Sequence, residues 1–250
     1  MSKKKTILDE VMQFIETEKE LYGAFTPNLN KTVVEKMGPD ESSDDKKVIE
    51  ELKKPTLDDL LKKCSTLEEL KQLCEQSDEL KTDLENTNLV FGVGNPKADL
   101  MIIGEAPGEQ EDIQREPFVG PAGQLLDKIL GAINFSRDEI YIANILKHRP
   151  PDNRNPNDDE RKRSLPFLLR QIELIQPKII LCLGKVSGTT LLQKDDALKN
   201  MRGTFHKFKN TDLTVTYHPA ALLRKPKWKR PTWEDVQMVR KRYDELGGRP

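Results

Sequence analysis

The sequence predicts an α/β fold of three layers, α/β/α, in which helices cover both faces of a four-stranded, mainly parallel sheet. Four short apolar runs have the length and composition of buried strands. Segments with apolar residues at helical spacing separate them, and this alternation is typical of parallel strands joined by right-handed crossovers. The predicted strands are 100–104, 140–146, 178–184 and 213–218.

Several predicted helices have recognisable ends. Asn157 is followed three residues later by Glu160, the pattern of a capping box, and this helix is expected to end at Ile175. Thr232 is the predicted cap of a last helix, from Trp233 to Leu246. The other predicted helices span 57–84, 122–133 and 187–193.

Residues 1–56 are predicted to form an N-terminal extension, and residues 57–250 the main domain. Residues 1–25 have the spacing of one amphipathic helix, whereas residues 26–56 are polar and charged and indicate a flexible linker. Apolar runs are too short to span a membrane, and the first residues lack the core of a signal peptide. Three cysteines, an odd number, favour a reducing compartment, so we expect a cytoplasmic protein.

Charge is distributed unevenly along the chain. Residues 199–250 carry 13 Lys and Arg against 5 Asp and Glu, whereas residues 1–96 carry 14 against 21. A basic C-terminal part is typical of a protein that binds a phosphate backbone, although a solvated helix face has the same composition.

Polar residues follow the ends of the predicted strands. Residues 104–108 (GEAPG) come directly after the first strand, Asn144 lies late in the second, and His218 ends the fourth. Because the carboxyl ends of parallel strands share one edge, these groups can converge on a ligand there. Taken singly, Asn144 could be a satisfied core amide, His218 a cap or turn residue, and Glu111 a solvated side chain. The GEAPG segment matches neither a dinucleotide fingerprint nor a Walker loop.

Six segments together carry a resemblance to a known family. They are 90–96 (VFGVGNP), 104–112 (GEAPGEQED), 116–120 (EPFVG), 144–154 (NILKHRPPDNR), 177–184 (PKIILCLG) and 217–224 (YHPAALLR). In this order and spacing the chain resembles the uracil-DNA glycosylase superfamily, most closely the family 4 enzymes with a four-cysteine iron–sulfur cluster. The resemblance covers about residues 88–246.

The resemblance implies a pocket that receives a base flipped out of DNA. Phe118 would offer a flat face for the base, and Gly104 is also expected to be a substrate-binding residue. The amide of Asn144 has one acceptor and one donor, which match N3–H and O4 of uracil and oppose cytosine. Asn153 matches a further position near the family's site.

The resemblance also implies how the N-glycosidic bond is cleaved. The transition state is similar to that of glycoside hydrolysis, with negative charge growing on the base. Glu111 would position the attacking water, and Glu105 would support the pocket. Backbone N–H groups at Glu105 and Ala106, together with His218, would stabilise the charge at uracil O2.

DNA contacts are expected from the segment after His218. Leu222 and Leu223 resemble the superfamily's wedge, which fills the gap left by the flipped base. Arg224, Lys225 and Lys227 are expected to lie on phosphates.

The chain departs from family 4 at the cluster ligands. The four positions correspond to Cys74, Ser77, His148 and Ser164. One thiolate and one imidazole cannot hold a four-iron cluster, which needs about four soft ligands. We therefore expect no iron–sulfur cluster and no other cofactor or metal. A second departure is Arg115, where the family commonly has glycine.

The sequence thus predicts a monomeric uracil-DNA glycosylase that acts on uracil-containing DNA and initiates base-excision repair. Two alternatives stay open at this point. The pocket could prefer another deaminated base such as hypoxanthine or xanthine. The chain could also be a catalytically silent module that binds DNA or uracil.

Overall fold

The structure, a computed structural model, describes residues 55–248. The predicted N-terminal helix, and the linker up to residue 54, lie outside the described residues, so the boundary at residue 57 stays a prediction. Within the described range, no helix has the length and apolar character needed to cross a membrane.

One six-stranded sheet forms the centre of the fold. Its strands are β1 (Val93–Gly94), β2 (Leu100–Gly104), β3 (Tyr141–Asn144), β4 (Ile179–Leu183), β5 (His206–Phe208) and β6 (Thr211–Thr216). They lie in the order β1-β3-β2-β4-β6-β5. The four predicted strands form the parallel centre, as expected. The edge strands β1 and β5 are antiparallel and were not predicted, because two or three residues are too few for a recognisable pattern.

Strand register brings the predicted site residues to one edge. Gly104, the last residue of β2, pairs with Asn144, the last residue of β3. At the end of β6, Thr216 pairs with Leu183 of β4, two residues before His218. The carboxyl ends of four neighbouring strands, β3, β2, β4 and β6, therefore place their following loops side by side.

Nine α-helices pack around the sheet or precede it in the described part of the chain. They are α1 (Leu57–Lys63), α2 (Leu67–Glu75), α3 (Glu109–Gln114), α4 (Pro121–Ala132), α5 (Asp158–Ile175), α6 (Lys185–Leu192), α7 (Leu198–Met201), α8 (Pro219–Arg224) and α9 (Lys229–Glu245). Short 3₁₀ turns lie at Asp78–Leu80, Pro151–Asn153 and Pro226–Trp228. The capping box of Asn157 and Glu160 is confirmed.

Two of the predicted helices differ from the structure by more than two residues in their bounds. The single helix expected over residues 57–84 is divided, because Thr66 and Glu69 form a capping box that begins α2. The last helix begins at Lys229 rather than after Thr232, whose hydroxyl instead donates to the carbonyl of Trp228 within the first turn. Pro231 fits that first turn, where its missing N–H has no partner to lose.

Buried side chains form a layer on each face of the sheet and a third cluster beside it. Met101 and Ile103 of β2 point to one face, and Leu100 and Ile102 point to the other. The third cluster joins α1 and α2 to α5, and includes Cys74 and Phe167. The sheet is thus covered on both sides, as predicted for a three-layer fold.

Candidate active site

A cavity of about 380 Å³ opens at the carboxyl edge of the parallel strands. This volume lies within the range of small-molecule pockets in proteins. The lining includes eight of the residues predicted from the sequence: Glu105, Ala106, Glu111, Phe118, Asn144, Asn153, His218 and Arg224. It also includes residues that were given no individual role from the sequence, namely Pro107, Gly108, Ala122, Pro150, Arg154 and Ala220.

Gly104 leaves room for the two side chains that face the base in the predicted mode of binding. A Cβ atom on Gly104 would lie 2.3 Å from Asn144 Oδ1 and 2.6 Å from Phe118 Cζ. Both distances are far below van der Waals contact. The glycine at the end of β2 is therefore required for space.

The amide of Asn144 is buried and its Oδ1 atom has no hydrogen-bond partner among the described residues. Buried polar atoms in folded proteins almost always have a partner, and an exception asks for an explanation. A ligand that carries an N–H group into the pocket would supply one. This arrangement argues against the alternative that Asn144 is a satisfied core amide.

The loop that carries Phe118 is held from outside the pocket. Phe118 has a left-handed backbone, with φ of 57°, and its ring centroid lies 5.4 Å from that of His218. Arg137 donates to the carbonyl oxygens of Pro117 and Phe118, at 2.7 and 2.9 Å. The guanidinium thereby fixes the loop in a conformation that a non-glycine residue seldom adopts. Sequence reasoning missed Arg137, since a lone arginine between elements carries no pattern.

Glu111 lies on the short helix α3, in a part of the chain where no helix was predicted. One carboxylate oxygen accepts hydrogen bonds from the backbone N–H groups of Val119 and Gly120, at 3.0 and 2.9 Å. The other oxygen lies on the side of Gly108, where an added Cβ would be 2.7 Å away. The carboxylate is thus oriented by the backbone, with one oxygen left for a further contact.

Glu105 follows β2 directly, and its carbonyl accepts from the N–H of Leu146 at 3.1 Å. Burial raises the pKa of its carboxyl, and the positive charge of Arg161 works in the opposite direction. Backbone pairing holds this residue at the pocket wall. Arg161 was not singled out in the sequence.

His218 has one ring nitrogen committed to the backbone. Nδ1 accepts from the N–H of Ala220 at 3.2 Å, which caps the first turn of α8. The hydrogen of a neutral ring must then lie on Nε2, the remaining donor. Burial first, and the charge of Arg224 second, lower the pKa of the ring to about 4, against a weaker opposite effect from Glu111. The ring is therefore a neutral Nε2–H donor at neutral pH. His218 therefore caps α8, which was the alternative role predicted for it, and also lines the pocket.

Asn153 lies on the pocket rim in a left-handed turn, where φ is 53° for Asp152 and 51° for Asn153. Its Oδ1 accepts from Arg149 Nε at 2.8 Å. The neighbouring Arg154 makes two hydrogen bonds of 2.8 Å to the buried carboxylate of Glu160. This ion pair ties the loop to the start of α5.

The segment after His218 presents a mixed surface. Leu223 is 49% exposed, whereas Leu222 is 1% exposed and lies on the side of α8 that packs in the core. Of the two leucines predicted to form the wedge, only Leu223 is therefore exposed, because the 3.6-residue period of a helix turns adjacent residues to different sides. Arg224 and Lys227 are exposed, while the ammonium of Lys225 lies 4.7 Å from the ring centroid of Trp228.

The four positions that correspond to cluster ligands make other contacts. Cys74 is buried, and burial raises the pKa of its thiol to about 12. Ser164 Oγ donates to the carbonyl of Ile145 at 2.7 Å, and His148 Nδ1 lies 3.0 Å from Thr87 Oγ1. Residues 55–248 contain no group of three or more His, Cys, Asp or Glu that could hold a metal ion. Of the four residues, Cys74 offers a protonated thiol, and Ser77 and Ser164 offer only hydroxyl groups. These residues do not fit the ligand set of an iron–sulfur cluster.

Comparison with known proteins shows the family of this chain. The chain belongs to the uracil DNA glycosylase superfamily, whose sequence profile matches residues 91–237. The resemblance inferred from the motifs is thereby confirmed.

The names of individual relatives describe a narrower class of enzyme than the superfamily does. The type-4 uracil-DNA glycosylase of Archaeoglobus fulgidus is 38% identical over 179 residues, which cover 68% of this chain and 88% of that protein. The enzyme of the same name from Saccharolobus solfataricus is 43% identical over 61% of this chain and 75% of its own length. That of Thermotoga maritima is 36% identical over 63% and 84%.

Proposed function

We propose that this protein is a uracil-DNA glycosylase, which hydrolyses the N-glycosidic bond of deoxyuridine in DNA and leaves an abasic site. The unpartnered Oδ1 of Asn144, buried in a base-sized pocket beside Phe118, is the observation that carries the proposal. Membership of the superfamily and the names of the type-4 relatives support it.

Base recognition follows from the chemistry of the pocket. The base enters against the Phe118 ring, and its N3–H donates to Asn144 Oδ1 while the amide Nδ2 donates to O4. Cytosine has an acceptor at N3 and a donor at N4, so both contacts would become repulsive. A polar site of this kind rejects the wrong partner strongly, because its buried groups would lose their hydrogen bonds.

Hydrolysis uses the two sides of the pocket. On one side, Glu111 holds a water with the carboxylate oxygen that the backbone does not occupy. The water oxygen bonds to C1′ of the sugar while N1 leaves with the bonding electron pair as the uracil anion. The water proton passes to Glu111 and from there to solvent. The transition state has oxocarbenium character, which the carboxylate also stabilises.

On the other side, His218 stabilises the leaving group. Its Nε2–H donates to uracil O2, where the negative charge of the anion is concentrated. Because the pKa of the charged ring is low, the imidazole is neutral, and a neutral imidazole does not transfer its Nε2 hydrogen to uracil. The anion is therefore stabilised by a hydrogen bond rather than by protonation. Glu105 and Ala106 complete this wall, where their N–H groups would face O2.

We also infer that the enzyme works without the iron–sulfur cluster of family 4. The apolar cluster of α1, α2 and α5, which includes Cys74, supplies packing between these helices without metal. Iron and acid-labile sulfide in the purified protein, together with visible absorbance, test this inference. A stoichiometric cluster would overturn it without affecting the proposed reaction.

The proposed reaction is tested with an oligonucleotide that contains one uracil. Purified wild type should release uracil, detected by mass spectrometry, and alkali should then cleave the strand at the abasic site. Glu111→Ala should be inactive. Glu109→Ala, a change to an exposed glutamate on the same helix, is the matched control.

Three results would contradict the proposal. Binding of the oligonucleotide without release of base would favour a silent binding module. Release from oligonucleotides with hypoxanthine or xanthine, but not from those with uracil, would favour a different base. Full activity of Glu111→Ala would remove that carboxylate from the mechanism.

A further inference from the structure

Residues 218–228 comprise His218, helix α8 and a 3₁₀ turn, and carry both the pocket histidine and the exposed Leu223. We call this the wedge segment. Its first half is anchored by the buried side chains of Pro219 and Leu222. The residues from Leu223 to Lys227 are exposed. A side chain that must press into a duplex needs a rigid support, so the far end of the segment should also be anchored.

The far end is anchored by an aromatic stack. The ring of Trp228 stacks on that of Tyr217, with centroids 4.7 Å apart and planes inclined by 12°. Tyr217 directly precedes His218, so this contact joins the two ends of the wedge segment. The ammonium of Lys225 lies 4.7 Å from the Trp228 ring centroid, within the range of a cation–π contact.

The stack contacts an ion pair whose carboxylate is buried. The guanidinium of Arg202 lies 5.7 Å from the Tyr217 ring centroid. It is held by Asp235, whose carboxylate is 1% exposed and accepts two hydrogen bonds from Arg202, at 3.0 and 2.9 Å. Asp235 also accepts from Thr216 Oγ1 at 2.6 Å, at the end of β6. The support therefore continues from the sheet through Arg202 and Tyr217 to Trp228.

We propose that Trp228 is a positioning residue for base extrusion, which holds the wedge segment rigid so that Leu223 can occupy the gap left by the flipped nucleotide. Trp228 closes the segment onto the residue before His218 and does not itself touch the base. The inference rests on the proposed function, since it concerns the step that delivers uracil to the pocket.

Duplex and single-stranded substrates separate this role from a general structural one. Uracil in a duplex must be unpaired and unstacked, and a wedge stabilises that state. Uracil in a single strand needs little of this help. Loosening the wedge segment should therefore slow excision from the duplex, and leave excision from the single strand nearly unchanged.

The test uses Trp228→Leu, which keeps an apolar side chain but removes the stacking ring. Trp228→Phe restores a ring, and Trp233→Phe changes the other tryptophan, which lies in α9 outside the stack. Single-turnover excision is measured on matched duplex and single-stranded oligonucleotides. The free energy of unfolding in denaturant confirms that each variant folds.

We expect Trp228→Leu to lower the duplex rate about tenfold, the scale of one aromatic contact, with the single-strand rate changed by less than about twofold. Trp228→Phe should recover most of the duplex rate, and Trp233→Phe should match the wild type. An equal loss on both substrates, or no loss on either, would overturn the proposal.

Extrusion can also be followed without hydrolysis, by the fluorescence of 2-aminopurine placed beside uracil in the duplex. Trp228→Leu should weaken the rise in fluorescence on binding, relative to the wild type. This readout keeps the two proposals distinct, because a wild type that extrudes the base without cleaving it would contradict only the proposed reaction. An unchanged fluorescence rise in Trp228→Leu would contradict the role of Trp228.

Discussion

Asn144 Oδ1 lies 2.3 Å from the place where a Cβ atom on Gly104 would be. The two residues are directly paired at the ends of neighbouring parallel strands. This relationship explains why the residue before Glu105 is a glycine, although its backbone does not need one: the missing side chain leaves the amide free to meet a base.

Gly104→Ala is expected to remove most of the activity. The methyl group would displace both the Asn144 amide and the Phe118 ring, and a misplacement of about 1 Å can cost about 10²-fold in rate. The free energy of unfolding should fall by about 1–3 kcal/mol from overpacking.

Gly131→Ala is the control, because no atom lies within 4 Å of its added Cβ. It should retain full activity and gain about 0.5–1 kcal/mol of helix stability. Normal excision by Gly104→Ala would show that the amide need not hold its present position.

Asn144→Asp should reduce uracil excision by about 10²–10³-fold, the usual effect of losing one donor to a developing charge. The carboxylate cannot donate to O4 and would repel the uracil anion. Discrimination against cytosine should weaken as well, which is measured on matched oligonucleotides with uracil or cytosine. Asn134→Asp makes the same change at an exposed turn and should have no effect. An unchanged uracil rate would remove Asn144 from base recognition.

His218→Ala should lower the single-turnover rate by about 10²–10³-fold if the ring supplies one hydrogen bond to the leaving group. Because its pKa is about 4, the ring stays neutral through the physiological range. The pH profile of the wild type should therefore show no loss of activity near pH 6.5 from this group. A tenfold or smaller loss in His218→Ala would mean that another donor carries most of the charge.

The lowered pKa of His218 also makes the stability of the fold depend on pH. The folded protein disfavours the charged form of the His218 ring. The contribution of this residue to the free energy of unfolding is therefore fully present above the ordinary pKa of 6.5 and is lost as the pH falls toward 4. The loss amounts to at most about 3 kcal/mol. His218→Gln cannot take up this proton, so denaturant unfolding should show a weaker pH dependence for the variant between pH 6.5 and 4. Parallel curves would refute the assigned pKa.

Arg224→Gln should weaken DNA binding and reduce its salt dependence. Arg224 is exposed at the pocket mouth, and loss of one phosphate contact lowers the slope of log K against log salt by about 0.9. Binding to a duplex with an abasic site, at several salt concentrations, measures this slope. Lys241→Gln, on the exposed side of α9, should leave it unchanged. Equal slopes for Arg224→Gln and wild type would place Arg224 away from phosphate.

Arg115→Gly should raise the free energy of unfolding by about 0.5–1 kcal/mol relative to Arg115→Ala, because a left-handed backbone favours glycine. Arg115 ends α3 with φ of 58° and ψ of 26°. The alanine variant removes the same side chain, so the difference between the two isolates the backbone. Denaturant unfolding provides the measurement. Equal stabilities would mean that the turn relaxes to another conformation.

Much of the fold follows from local pattern in the sequence. The four central strands are continuous apolar runs such as residues 179–183, and the capping box of Asn157 and Glu160 marks the start of α5. The segments that the sequence did not predict are those where local signals are weak. Strands β1 and β5 are short, and α3 is a six-residue helix after a proline and a glycine.

The candidate site, like the fold, has a part that could be predicted from the sequence and a part that could not. Motifs in the sequence identified Glu105, Glu111, Asn144 and His218, because residue type and order carry that information. Their mutual geometry depends on strand register, which pairs Gly104 with Asn144 and brings distant loops to one edge. Arg137, which supports the Phe118 loop, makes its contacts about 20 residues away in the chain and leaves no local signature.

The family, the parallel sheet and the chemical groups of the pocket could all be predicted from the amino-acid sequence, since they depend on residue type, order and local periodicity. Three other properties were visible only in the folded chain: Asn144 Oδ1 has no partner among the described residues, Leu223 rather than Leu222 is exposed, and Trp228 stacks on Tyr217. Each of these properties depends on what packs against a side chain. Packing partners are brought together by the fold from separate parts of the chain.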